Sequence, residues 1–196
     1  SSRCQAKRWW TKASGLRSPH RRAQNPEVLN RKVYWSTQRS PDRTVLHAAL
    51  NHSNARILAS LLQNSQSLAH GGTILPISHE LSLPGPLTLF LPCDQGMKRV
   101  SSSCLRLLRE QPQLVDIFTR IHVIRGRWEL RDIIEASSAE MENLRGQQIS
   151  LNISGKIHDC LRKVSLQGSQ ISHANLMCSN GIVHIIESPF QQLITT

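Results

Sequence analysis

The stretch of sequence that decides the fold is Gly85-Pro86-Leu87-Thr88-Leu89-Phe90-Leu91-Pro92-Cys93-Asp94-Gln95. Its leucines alternate with Thr88 and Phe90, which is the period of a β-strand, and Pro92 ends that strand because proline has no backbone N–H to donate. A second stretch follows about ninety residues later, Ser179-Asn180-Gly181-Ile182-Val183-His184-Ile185-Ile186-Glu187. Its Asn-Gly pair is the strongest short hairpin signal, so this stretch predicts a turn followed by a strand.

The first half of the chain predicts helices around the first strand. Ile57, Leu58, Leu61 and Leu62 fall on one helical face, and Asn54 before them is a residue type that favours the N-cap. An amphipathic core helix is therefore expected here.

Residues Ala69 to Pro86 are rich in Gly, Pro, Ser and His, which predicts a loop with at most a short strand at Thr73 to Pro76. Three further helices are predicted in this half, the first of them around Met97 to Val100. Ser101 to Ser103 offer capping hydroxyls to the next helix, and Pro112 suits the first turn of another.

The second half of the chain has the period of strands. Ile149 to Ile153 alternates apolar and polar residues, which predicts a half-buried strand. Val164 to Leu166 begins another strand, Gln167-Gly168-Ser169 is a turn, and Ile171 resumes the pairing. Helices followed by a run of antiparallel strands predict an α+β domain.

These segments together resemble the fasciclin (FAS1) domain family over about residues 44 to 191. The two stretches quoted first resemble the family's two signature boxes, and Ile121 to Gly126 resembles its central Tyr-His-Val-Val-Pro-Gly segment, with Ile121 and Arg125 as departures. The resemblance implies an antiparallel β-strand wedge or sandwich of about seven strands with several packed α-helices. It also implies an adhesion or scaffold role and no catalytic activity, since the family shares no catalytic centre.

The division of charge sets the first part of the chain apart. The chain has a net charge of +11, and residues 1–40 hold ten Lys and Arg against one acid, which leaves only +2 for the rest. We therefore expect a basic, aromatic-containing and mostly irregular extension at 1–43, with one short helical piece at Pro26 to Asn30. The FAS1-like domain would follow at 44–191, and a C-terminal tail at 192–196.

Basic and aromatic side chains alternate in this extension, here called the arm. Such a combination neutralises phosphates and stacks on unpaired RNA bases, and it also suits anionic lipid headgroups. A solvated remnant of a targeting segment is the simplest alternative. The residues predicted to contact a nucleic acid or another anionic partner are Arg8, Trp9, Trp10, Lys12, Arg17, Arg21, Arg22, Arg31, Lys32 and Trp35.

Cysteine usage and targeting signals favour a mitochondrial protein. The five cysteines are odd in number and scattered, which predicts a reducing compartment with free thiols. Residues 1–26 contain Arg, Lys, Ser and Ala and no acid, as mitochondrial targeting segments do. We expect a location in the matrix or at the matrix face of the inner membrane. No apolar run approaches the roughly 20 residues that cross a bilayer.

Several residues could suggest chemistry, and each has a simpler structural reading. His122 and His184 are expected to satisfy buried backbone groups, and Cys93 to be a capping or core thiol. Asp94 and Glu187 are expected to be a cap and a surface residue. No metal site, cofactor, catalytic residue or small-molecule substrate is predicted.

The sequence therefore favours a non-catalytic structural subunit of a large mitochondrial assembly, bound to other protein subunits. The mitochondrial ribosome is favoured, with the arm on rRNA, because a near-neutral domain with a +9 extension suits a particle made largely of RNA. A peripheral subunit of an inner-membrane respiratory or ATP synthase complex is the first alternative. A secreted or cell-surface adhesion module, glycosylated at Asn51 or Asn152, is the second.

Overall fold

Helices dominate the first half of the molecule and strands the second. The computed structural model describes residues 34–35, 39–40, 42–68, 76–136, 141–154 and 163–190. The helices of this part are α1 (Val45–Asn51), α2 (Arg56–Leu68), α3 (Ile77–Glu80), α4 (Asp94–Met97), α5 (Ser102–Glu110), α6 (Pro112–Ile121) and α7 (Leu130–Glu135). The strands are β1 (Tyr34–Trp35), β2 (Arg39–Ser40), β3 (Leu87–Pro92), β4 (Val123–Arg125), β5 (Leu151–Ser154), β6 (Lys163–Leu166), β7 (Ser169–Cys178) and β8 (Gly181–Ile186). The predicted α+β class is confirmed.

Local capping explains where several helices begin. The Ser101 hydroxyl accepts from the N–H of Cys104 at 3.2 Å, and Pro112 opens α6, both as predicted. The predicted Asn54 cap is wrong. The carboxylate of Asp94 accepts from the N–H of Ile57 at 2.8 Å instead, because α4 packs against the start of α2.

Two other local predictions differ from the structure in position. The helix expected at Met97 to Val100 is α4, which ends at Met97, because the Cys93 thiol caps it earlier by accepting from the N–H of Gly96. The strand expected from Ile149 begins at Leu151 and ends at Ser154. Among the described strands β5 pairs only with β6, and burial falls along it, from Leu151, which packs against the cluster that contains Val164 and Leu166, to the exposed Ile153. The loop predicted from Ala69 to Pro86 is wrong at Ile77–Glu80, where α3 forms, and the short strand allowed at Thr73 to Pro76 lies mostly outside the described residues.

The sheet is mixed, with the order β4-β3-β8-β7-β6-β5. The resemblance implied antiparallel pairing throughout, and the β3–β8 pair is instead parallel, from Leu87 opposite Gly181 to Pro92 opposite Ile186. Parallel neighbours need a long crossover connection, and most of the chain between these strands provides it. The two quoted stretches are thus adjacent central strands of the sheet.

Strand β3 contributes to the core on both of its faces. Leu87, Leu89 and Leu91 pack with the helices α1, α2 and α6, whereas Phe90 packs with Ile171 and other residues of the second core cluster. Every residue of β3 and β8 is buried, as expected for central strands covered on two sides. No helix of the described part of the chain is long and apolar enough to cross a membrane.

The predicted Asn-Gly turn is confirmed, and its asparagine connects three elements. The Oδ1 atom of Asn180 accepts from the N–H of Val45 at 2.7 Å, while Nδ2 donates to the carbonyls of Leu81 and Leu83. Gly181 lies so close to the backbone of Leu87 that a Cβ atom would overlap the Leu87 carbonyl oxygen. The pair therefore fixes the start of β8 against both α1 and β3.

Candidate functional site

A groove lies between the end of α1 and the end of β7. We call it the α1–β7 groove, and its volume is about 290 Å³. Its lining residues come from the end of α1, the turn after it, the end of β7 and Arg43. They are Arg43, Ala48, Asn51, His52, Ser53, Leu176, Met177 and Cys178.

The α1 side of the groove is set by the way this helix ends. Asn51 donates from Nδ2 to the carbonyl of His47 at 2.8 Å, and His52 leaves the helix in an extended conformation. The Nδ1 atom of His52 accepts from the N–H of Asn54 at 3.3 Å. This turn holds the half-buried imidazole of His52 at the groove wall.

The β7 side of the groove is set by irregular pairing. The register of β7 against β8 shifts between Ile171 and His173 and again between His173 and Leu176. Asn175 adopts a φ of 62°, a left-handed conformation that Asn tolerates better than most residues. The side chains of β7 therefore do not alternate strictly between the two faces of the sheet just before the residues that line the groove.

Strand β2 and Arg43 flank the same part of β7. In β2, Arg39 pairs with Met177 and Ser40 with Cys178, both in parallel register. The carbonyl of Arg43 then accepts from the N–H of Ser179 at 2.9 Å. This bond holds the backbone of Arg43 at the groove, while its side chain is exposed.

Two imidazoles near the groove are neutral at neutral pH. Burial lowers the pKa of His52, the charge of His173 lowers it further, and Asp94 opposes both. Burial also lowers the pKa of His173. Ser172 donates its hydroxyl to the carbonyl of Ile185, so the contact of 3.2 Å between His173 Nδ1 and Ser172 Oγ places the ring proton on Nδ1.

The two histidines singled out from sequence are buried and fully bonded. His122 Nδ1 donates to the carbonyl of Phe118 at 2.7 Å, and Nε2 accepts from the N–H of Phe190 at 2.9 Å. His184 Nε2 donates to the carbonyl of Trp128 at 2.8 Å, and Nδ1 accepts from the N–H of Asn175. Burial lowers the pKa of each to about 4. The prediction that they satisfy buried backbone groups is confirmed.

The remaining candidates for chemistry also have structural roles. Cys93 is the capping thiol that was predicted, and Asp94 caps a helix, although α2 rather than α4. Glu187 is exposed, as expected. Cys93, Cys104 and Cys178 are free thiols, and burial raises the pKa of Cys178 to about 11.

The predicted anionic-partner contacts fall almost wholly outside the described residues. Trp35 alone lies within them, in β1, where its backbone pairs with Ala174. The predicted helical piece at 26–30 lies outside as well. The arm therefore stays a prediction as a binding surface, and so do the boundaries at 43/44 and 191/192. The residues outside the description are Arg8, Trp9, Trp10, Lys12, Arg17, Arg21, Arg22, Arg31 and Lys32.

Sequence reasoning did not find the α1–β7 groove. His52 and Met177 belong to segments that no local pattern links, and only the folded sheet brings them to one groove. Within the described ranges no group of three His, Cys, Asp or Glu side chains is placed to hold a bare metal ion.

Comparison with known proteins gives a family and several similar proteins. The model of the fasciclin domain family matches residues 75–192. A protein of Plasmodium falciparum (isolate 3D7) named heme ligase is 30% identical over 197 residues, which cover 93% of this chain and 93% of that protein. Stabilin-2 of Mus musculus is 32% identical over 123 residues, and the match spans 59% of this chain but only 4% of Stabilin-2. Among solved structures, the FAS1 domain pair of the insect cell adhesion molecule Fasciclin I matches 67% of this chain and 40% of that one, with 18% identity and a TM-score of 0.43.

Proposed function

The chain belongs to the fasciclin domain family, as its sequence resemblance predicts, and we propose that it is a haem-binding member of that family. The observation that carries the proposal is the relative named heme ligase, which aligns with 93% of both chains. A match of this extent includes the arm and both halves of the domain, whereas Stabilin-2 shares only a domain-sized piece. Haem as a ligand is therefore inferred from a protein of the same overall length and plan.

The chemistry of the α1–β7 groove fits haem. Haem supplies four nitrogen atoms to its own iron, so that a protein needs to add only one or two axial ligands, commonly His or Met. The residues that line the groove include His52, which is a residue type that binds haem iron, Arg43, whose charge suits the haem carboxylates, and the apolar Leu176. A nitrogen donor, a cation and an apolar residue thus belong to one groove.

The proposal is confined to binding. His122 and His184 use both ring nitrogens on backbone groups, and the Cys93 thiol is bonded to a backbone N–H and a backbone carbonyl. These side chains are committed to holding the fold. We accordingly propose a non-catalytic role, with haem as the cargo rather than as a resident cofactor.

The test is a titration of the full chain with ferric haem, followed by absorbance in the Soret region. A saturable change at one haem per chain is expected, and it should persist at about 1 M salt, where the screening length is about 3 Å. Metal-free protoporphyrin is the matched control, because it has the same ring and carboxylates but no iron. If the haem signal disappears in salt, or if protoporphyrin binds equally well, the +11 charge of the chain explains the binding and the proposal fails.

A second role is proposed for the arm, because residues 1–40 carry +9 of the net charge. In this role the chain is an accessory subunit of a large mitochondrial assembly, with the ribosome favoured and its rRNA near Arg21, Arg22, Arg31 and Lys32. The respiratory or ATP synthase alternative and the adhesion alternative are outcomes of the same experiment. The chain is followed by mass spectrometry through native particles before and after RNase. Loss on RNase supports the ribosome, persistence in a detergent-solubilised complex supports the first alternative, and glycans at Asn51 or Asn152 support the second.

A further inference from the structure

One half-buried imidazole lies at the α1–β7 groove. His52 follows α1, and the bond from the N–H of Asn54 to its Nδ1 atom fixes the ring at the groove wall. A histidine coordinates a metal through a ring nitrogen that carries no proton. Among the described histidines, His52 is the one that lines this groove.

The hydrogen bonding of His52 leaves one nitrogen for a ligand. Its Nδ1 atom accepts from the N–H of Asn54 at 3.3 Å, a long distance for such a bond. While Nδ1 accepts from Asn54, the ring proton is on Nε2. For Nε2 to coordinate iron, this proton would have to move to Nδ1 by exchange with water, so that no net proton is released. The weak bond to Asn54 is lost, and the coordinate bond from Nε2 to iron replaces it.

The surroundings of His52 match the other parts of a haem molecule. Ala48 and Leu176 line the groove from α1 and β7, and both are partly buried apolar residues packed against the core. Arg43 is exposed at the groove while its backbone is fixed to Ser179, so its guanidinium can pair with a carboxylate without moving the fold. At about 290 Å³ the groove is at the small end of ligand sites, and it takes one edge of the porphyrin rather than enclosing it.

We propose that the α1–β7 groove is the haem site of this protein, with His52 as an axial ligand of the iron and Arg43 as the partner of a haem carboxylate. This inference rests on the proposed haem binding and adds the residues that do it. It assigns no ligand role to the buried pair His122 and His184.

The experiment compares full-length wild type with His52→Ala and His79→Ala. His79 is exposed on α3 and does not line the groove, so His79→Ala is the matched control. Each protein is titrated with ferric haem, and its absorption and electron paramagnetic resonance spectra are recorded. His52→Ala should bind haem at least about tenfold more weakly and lose the nitrogen-ligand signature, and added imidazole should restore that signature. His79→Ala should behave as wild type.

The results show whether haem binding itself fails or only its assignment to the α1–β7 groove. If wild type shows no specific haem binding, the proposed function fails. If wild type binds haem and His52→Ala gives the same affinity and spectra, haem binds elsewhere and the groove assignment is overturned. His52→Gln, with an unfolding curve for each variant, distinguishes loss of the ligand from loss of the fold, because glutamine retains a polar side chain of similar size.

A second pair of variants tests Arg43. Arg43→Gln should weaken haem binding by several-fold and reduce its dependence on salt, whereas Arg43→Lys should retain most of the affinity because it keeps the charge. The spectra of the iron should be unchanged in both, since Arg43 does not touch it. If Arg43→Gln bound haem with the affinity of wild type, Arg43 would not be part of the haem site.

Discussion

The fully buried histidines His122 and His184 differ from the half-buried histidines His52 and His173 in what their ring nitrogens bond to. Burial lowers the pKa in all four, so a lowered pKa does not distinguish them. Both nitrogens of each buried ring are bonded to backbone groups, and neither ring is exposed at all (0%). The bonding and exposure of these rings, rather than the direction of their pKa shifts, therefore separate the two pairs.

The pH dependence of stability should show the structural role most strongly. The pKa of His122 and His184 is about 4 in the folded chain against a reference of 6.5, so the unfolded chain binds more protons between these values. Stability is therefore full above pH 6.5 and falls as the pH drops from 6.5 to 4, by about 3 kcal/mol for each histidine. Urea unfolding at pH 7, 6, 5 and 4 measures it, and a constant free energy of unfolding would contradict it.

Removing one buried imidazole should have the next largest effect. His122→Ala leaves the carbonyl of Phe118 and the N–H of Phe190 without their partner and opens a cavity beside Phe190. We expect a loss of about 4 kcal/mol in the free energy of unfolding at pH 7. His52→Ala, with a half-buried ring and one long bond, should lose less than about 1 kcal/mol. Equal losses in urea unfolding would erase the distinction between the two pairs.

The buried side-chain amide of Asn180 is bonded to backbone groups, as the two fully buried imidazoles are. Asn180→Ala removes three hydrogen bonds to Val45, Leu81 and Leu83 and should cost about 3 kcal/mol. Asn180→Asp is the matched variant, because a carboxylate still accepts from Val45 but cannot donate to the two carbonyls. It should also destabilise the chain in thermal unfolding. A melting temperature unchanged in both variants would mean that the amide serves only the turn.

The smallest effect concerns the thiol in the groove wall. Cys178 is 6% exposed, and burial raises its pKa to about 11, so little thiolate forms at pH 7.5. Iodoacetamide should label Cys178 more slowly than Cys93 or Cys104, which are half-buried, and urea should abolish the difference. Peptide mass spectrometry gives the order of labelling. Fast labelling of Cys178 in the native chain would show that the groove opens more than the structure indicates.

Sequence patterns predicted the fold where the determinants are local. The Asn180-Gly181 turn, the Ser101 cap and the Pro112 helix start each depend on residues within a few positions. The Asn54 cap failed because Asp94, distant in sequence, supplies the carboxylate. The parallel pairing of β3 with β8 was missed for a similar reason, since strand period carries no information on direction.

Local sequence patterns miss contacts between distant residues, and this limit applies more strongly to the candidate site than to the fold. The roles of His122 and His184 could be predicted because each sits among apolar neighbours in its own segment. The groove could not be predicted, because it joins the turn after α1 to the irregular end of β7. Bulges in β7 remove the two-residue alternation by which a sequence indicates the two faces of a strand. Sequence therefore indicated the histidines that hold the fold and missed the one that lines an accessible groove.

The most direct test of the account records histidine side chains by ¹⁵N nuclear magnetic resonance in the full chain. Gallium(III) protoporphyrin is the probe, because it is diamagnetic and carries a metal in place of iron. The account predicts that the ring nitrogens of His52 shift strongly on binding and those of His173 shift less, while the signals of His122 and His184 stay where they were. Large shifts of His122 or His184, with His52 unchanged, would contradict it.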